Sequence, residues 1–181
     1  TLYTVPNSTE TWYHLSPAEY LLPVEHMALI DEARTELMEH SPKTLQFSRP
    51  EQARSYVVKE GMKLIMSLAR KRGVKLGETR AGELEYAKKL AEILARYTAG
   101  FGITEIFLLD PYIQDIYIDA PAPENPVYVT IGGLSDPRLH QKCLTNVSLG
   151  GNDAESLLSR FRYESGRPFS EARPFLEHDL I

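Results

Sequence analysis

The sequence predicts an α+β protein in two parts, an N-terminal helical bundle over residues 1–95 and a small α/β domain over 96–181. Three observations predict it. Apolar residues recur at helical spacing through three segments before residue 100. After Gly102 the pattern changes to short runs of alternating apolar and polar residues, punctuated by Pro and by Gly pairs. The composition, 43% hydrophobic and 25% charged, is that of an ordinary globular chain with a real core.

Residues 1–15 read as an extended lead-in that packs Tyr3, Trp12 and Tyr13 onto the body. Ser16-Pro17-Ala18-Glu19 has the form of a capping box with proline at the first helical position. Pro23 allows a break, and Val24 to His40 continues as helix with Met27, Ile30, Leu37 and Met38 roughly on one face. Ser48-Arg49-Pro50-Glu51 repeats the start signal for a helix from about Arg49 to Arg72, whose stripe is Val57, Leu64, Ile65 and Leu68 and whose C-cap is Gly73. A third helix, Thr79 to Thr98, carries Ala87, Leu90, Ala91, Leu94 and Tyr97 and closes at Gly100 or Gly102. Such stripes are buried only against one another or against a partner, so a bundle is the economical arrangement.

Beyond it, Ile103 to Leu109 is a short apolar turn or helix, and Ile113 to Asp119 alternates like a half-buried strand. Pro126 to Ile131 and Leu144 to Leu149 read as further strands, and Asn152 or Asp153 caps a helix that turns Leu157, Leu158 and Phe161 inward and ends at Gly166. Pro174 to Ile181 looks like the start of another strand. With Thr1 in place of methionine and Asp179-Leu180-Ile181 at the other end, both ends look cut.

Charge narrows the function. Residues 1–95 carry 13 Lys/Arg against 13 Asp/Glu and residues 96–181 carry 7 against 12, so the whole net charge of -5 lies in the second part. Nucleic-acid binding, which draws most of its affinity from phosphate contacts, is therefore not expected. The single cysteine, Cys143, excludes an internal disulfide and a multi-thiolate zinc site, and fits a reducing cytoplasm.

Catalytic signals are sparse. Gly132-Gly133 and Gly150-Gly151 are not followed by Gly-Lys-Ser/Thr and read as turns, so the chain has no phosphate-cradling loop. His140 and Cys143 are three residues apart, a spacing zinc uses, but two ligands are not four, and His14, His26, His40 and His178 show no paired spacing. Cys143 reads as a small core residue, and Asp115 with Asp119 as solvated acids on one strand face. Arg70-Lys71-Arg72 with Lys75 sits at a helix C-terminus, where cations offset the macrodipole. Arg167 and Arg173 are left, in a proline-stiffened stretch just after a helix end. Guanidinium is well suited to reach a phosphate in a neighbouring domain or subunit, and equally able to pair with Glu164 or Glu171 and fix the loop.

Several stretches resemble the front domain of type II and type IV secretion ATPases, most of all the archaeal branch that drives pilus, archaellum and secretion assembly. They are Tyr97-Thr98-Ala99-Gly100-Phe101-Gly102, Leu108-Leu109-Asp110-Pro111-Tyr112-Ile113-Gln114-Asp115-Ile116, Pro126-Val127-Tyr128-Val129, Leu144-Thr145-Asn146-Val147 and the segment Glu164 to Pro174. The resemblance covers about residues 84–181. It implies a PAS-like cap preceding a RecA-like motor in a hexameric ring, at the inner face of the cell membrane, passing ATP-driven motion to a membrane platform protein. Residues 1–95 would then be an added helical module that docks on that platform or on neighbouring subunits. ATP and magnesium belong to the motor, whose Gly-rich loop, acidic motif and histidine boxes do not occur here, so residues 1–181 are not expected to hydrolyse ATP on their own. Arg167 and Arg173 alone carry over as phosphate contacts. Two rivals stand beside this reading. One is a free-standing interaction module that uses the apolar faces of helices 49–72 and 79–98, and the other a small hydrolase built on Cys143 or an acidic pair.

Overall fold

A computed structural model describes residues 1–4, 11–40, 50–133, 142–170 and 172–177. The protein is mixed α+β and forms two compact units, Pro17–Ile103, and Thr1–Ser16 together with Thr104–Ile181. The first unit is thus an insertion between the N-terminal strands and the rest of the sheet, as against the division at 95/96 read from the sequence.

The helical unit contains a 3-10 turn, Ala18–Leu21, and the helices α1 (Val24–His40), α2 (Pro50–Arg72) and α3 (Arg80–Ala99). Its core joins Leu29, Ile30, Ala33 and Leu37 of α1 to Val57, Ile65 and Leu68 of α2 and Leu90, Ala91 and Leu94 of α3. The apolar faces of α2 and α3, which the interaction-module reading needs exposed, are therefore consumed inside the unit. Gly61 permits the closest approach: a Cβ there would lie 2.8 Å from Cδ2 of the fully buried Leu94. Thr79 caps α3 by accepting from the Gly82 N–H. Gly73, after α2, holds φ +68, as its predicted C-cap role requires.

The capping box expected at Ser16–Glu19 does not form. The turn begins after Pro17 without a side-chain cap, and Glu19 is buried. Its carboxylate accepts instead from Nη1 of Arg96, at 2.9 and 3.0 Å to its two oxygens, and from the Tyr97 hydroxyl at 2.9 Å.

The second unit is built on a five-stranded sheet in the order β1-β2-β5-β4-β3. Its strands are β1 (Leu2–Thr4), β2 (Thr11–Tyr13), β3 (Ile113–Ile118), β4 (Pro126–Ile131) and β5 (Cys143–Ser148), with helices α4 (Thr104–Leu108) and α5 (Gly151–Ser165). The predicted lead-in supplies two of these strands, and β2 lies inside the sheet, parallel to β5. Asn146 prolongs that pairing: its side-chain amide accepts from Leu15 N–H at 2.7 Å and donates to Leu15 C=O at 2.9 Å, substituting for a strand backbone.

Alternation then sorts the sheet's faces. Tyr13, Val127, Val129, Ile131, Cys143, Thr145 and Val147 are buried on the core face, and Phe107 of α4 and Leu157 of α5 are also buried. The register places Tyr3, Trp12, Leu144, Tyr128 and Tyr117 in one row across the opposite face, one from each strand. At one edge, β3 is more exposed than a half-buried strand: Gln114, Asp115, Tyr117 and Ile118 are all solvent-accessible. No strand is formed over residues 174–177, and 178–181 lie outside the described residues. Among the described residues, no helix is long and apolar enough to cross a membrane.

Candidate functional site

The segment that follows α5 holds both predicted arginines. Gly166, at φ +61, ends the helix and turns the chain back. Arg162, in the last turn, donates from Nε to the Phe169 carbonyl at 2.5 Å and so fastens the returning segment to its own helix. A small closure between Ser170 and Arg173, with N–H to carbonyl distances of 3.2 and 2.9 Å, shapes the far end.

Arg167 and Arg173 are both exposed. Arg167 donates from its backbone to Ser165 Oγ at 3.2 Å and from Nη1 to the Glu177 carbonyl at 3.2 Å. A carbonyl leaves the guanidinium charge unneutralised and several of its donors available. Neither arginine pairs with a carboxylate among the described residues, and Glu171, one of the predicted alternatives, lies outside them. The arrangement is chemically able to present two cations to an anion that arrives from outside the unit.

The other sequence candidates fall to plain roles. Cys143 is fully buried, and burial pushes its thiol above the ordinary range, which disfavours the thiolate a nucleophile needs. Asp115 accepts from Thr130 Oγ1 at 2.7 Å, and Asp119 pairs with Lys142 at 3.0 Å, so these acids serve the sheet surface. Gly133 sits at φ +73 in a turn, and Gly132 leaves room for the Gln114 side chain, which a Cβ would meet at 2.1 Å. Gly150 is the N-cap of α5, and Asp153 accepts from its N–H. Arg72, from the basic run, reaches Glu32 across the α1–α2 contact. His140 and His178 lie outside the described residues. Among the described residues, no three His, Cys, Asp or Glu side chains are placed to hold a metal.

Three clusters escaped the sequence reading. Glu19 with Arg96 and Tyr97 is one. Tyr13 is the second: its hydroxyl donates to Asp110 Oδ2 at 2.6 Å while its ring packs on Phe107. In the third, the Lys142 ammonium lies 4.7 Å from the ring centre of Tyr117 and 4.4 Å from that of Tyr128. The cross-strand pairing of the two tyrosines is the only sequence-level trace of it, and it needs a register to be seen.

No protein-family model matches this chain, and no curated protein sequence matches it.

Proposed function

We propose that this chain is the non-catalytic front part of a secretion, pilus or archaellum assembly ATPase, and that it passes ATP-driven motion to a membrane platform protein. In this reading the sheet unit is the PAS-like cap, and the helical unit is the added module that docks on the platform or on neighbouring subunits of the ring. The protein would then work in the cytoplasm, peripheral to the inner face of the membrane.

The observation that carries the reading is the pair Arg167 and Arg173, exposed on a segment braced against α5 by Arg162. Among the described residues neither arginine meets a carboxylate, whereas the phosphates of a nucleotide held by a following motor domain would give both an anionic partner. The resembling stretches fall on the end of α3, in the helical unit, and on α4 to β3, β4, β5 and the segment after α5, in the sheet unit.

The test is to express the reading frame through the sequence encoded beyond Ile181 and to assay magnesium-dependent ATP turnover. Turnover in that longer protein, none from residues 1–181, and a fall of about tenfold or more in kcat/KM for Arg167→Ala and Arg173→Ala would support the proposal. A stop codon directly after Ile181, or nucleotide turnover by residues 1–181, would end it.

A further inference from the structure

The edge strand β3 carries an inference that goes beyond this reading and does not depend on it. In the sheet order, β3 has β4 on one side and, among the described residues, no strand on the other. Its outer row of N–H and C=O groups therefore lacks a strand partner, which is the template that strand addition uses. Natural edges are usually blunted by lysine, proline or a bulge. β3 contains neither lysine nor proline, and its irregularity is confined to the first part, between Ile113 and Asp115. The regular part, Asp115 to Ile118, leaves Tyr117 and Ile118 each 38% exposed.

The side chains of β3 decide which strand fits. Consider a second copy of β3, antiparallel and related by a two-fold axis normal to the sheet. The axis preserves the faces, so a residue of one face meets only residues of that same face, and the pairing centres on a residue. Centred on Asp115, it opposes Asp115 to itself. Centred on Tyr117, it opposes Asp115 to Asp119. Both bring like charges together, which destabilises a strand pair. Centred on Ile116, the pairs become Ile116 with Ile116, Asp115 with Tyr117 and Gln114 with Ile118, and no carboxylate faces another. Centred on Ile118, the pairing would rest on Asp119 and Ala120, which lie past the end of β3. The Ile116 register is thus the one that joins apolar to apolar at the axis and covers Ile118 with residues of the strand itself.

We infer that the protein self-associates through β3, two copies joining edge to edge in the register centred on Ile116 to make one continuous ten-stranded sheet. The pairing is short, well below the area of permanent dimers, so the dimer is weak and depends on concentration.

Sedimentation velocity on the full chain, over about 10 μM to 1 mM, tests this together with oxidative cross-linking of single-cysteine variants. Native Cys143 is buried and stays silent. The wild type should show a monomer–dimer equilibrium. Tyr117→Asp, at an exposed position, opposes two carboxylate pairs and should weaken it about tenfold, while Tyr117→Lys faces Asp115 and should tighten it. Ile116→Cys should cross-link fastest among cysteines at 115, 116 and 117, because only at the axis do the two α-carbons approach to disulfide distance. A monomer throughout the range overturns the inference, as does a dimer indifferent to Tyr117→Asp, or fastest cross-linking at 115 or 117.

Discussion

Glu19 and Arg96 stand 77 residues apart in the chain and meet as an ion pair in which the carboxylate side chain is 4% exposed and the guanidinium 20%. The pair ties the beginning of the helical unit to the last turns of α3, close to the two points where the chain passes between units. Tyr97 supplies a further donor to the same carboxylate.

Removing Glu19 takes away a buried carboxylate to which both Arg96 and Tyr97 donate. Glu19→Ala should therefore cost about 3 kcal/mol, towards the lower end of the cost of breaking a buried pair because Arg96 retains some solvent. Glu19→Gln keeps two acceptor directions and should lose about half as much. Urea denaturation followed by circular dichroism checks both. Equal stability of Glu19→Ala and the wild type would show that the cluster does not hold the turn.

Tyr97 and Tyr13 predict the behaviour in alkali. Burial, then the neighbouring Glu19 carboxylate, holds the Tyr97 hydroxyl well above its ordinary value, and burial with the hydrogen bond to Asp110 does the same for Tyr13. Both groups are protonated in folded and unfolded chains below the ordinary tyrosine value of about 10. Above it the unfolded chain loses these protons and the folded one keeps them, so stability falls as pH rises from there towards the folded values. Ultraviolet titration of the ten tyrosines should show most ionising reversibly and a late group appearing only with loss of structure. Tyr97→Phe should remove part of that late group.

Cys143 offers a clean probe of the sheet. Fully buried and with its thiolate disfavoured, it should react with a disulfide reagent at least about a hundredfold more slowly in native protein than in denaturant. Fast labelling under native conditions would contradict its placement on the core face.

Gly61 tests the packing of α2 on α3. Alanine gains about 1 kcal/mol in helix propensity but sets a methyl 2.8 Å from Leu94, which is fully buried and has little room to move. The two terms nearly cancel. Gly61→Val adds further bulk with a smaller propensity gain, and should destabilise by about 2–3 kcal/mol in the same denaturation measurement.

Much of the helical unit was legible in the sequence because its signals are local. Val57, Ile65 and Leu68, and Leu90, Ala91 and Leu94, mark their own faces, and Gly73 and Thr79 mark helix ends. What escaped depends on residues far away. Thr11-Trp12-Tyr13 is rich in strand-forming residues but only three residues long, and it is a strand because Trp12 lies beside Leu144. Ser16–Glu19 has every residue of a capping box, yet Arg96 and Tyr97 offer Glu19 stronger partners than a backbone N–H. Arg167 and Arg173 were visible as residue types. That Arg162 braces their segment, and that Arg167 meets a carbonyl rather than Glu164, follows from the way the chain folds back at Gly166.

Because β2 precedes Pro17–Ile103 in the chain and its partner β5, residues 143–148, follows it, the sheet is completed late in synthesis. On the ribosome, all of Pro17–Ile103 emerges before that partner exists. β1 and β2 thus have only each other to pair with until β5 is made, by which time the helical body already has its full complement of core residues. A version of the chain without residues 1–16 would spare that body and leave β5 with a bare flank where β2 belongs.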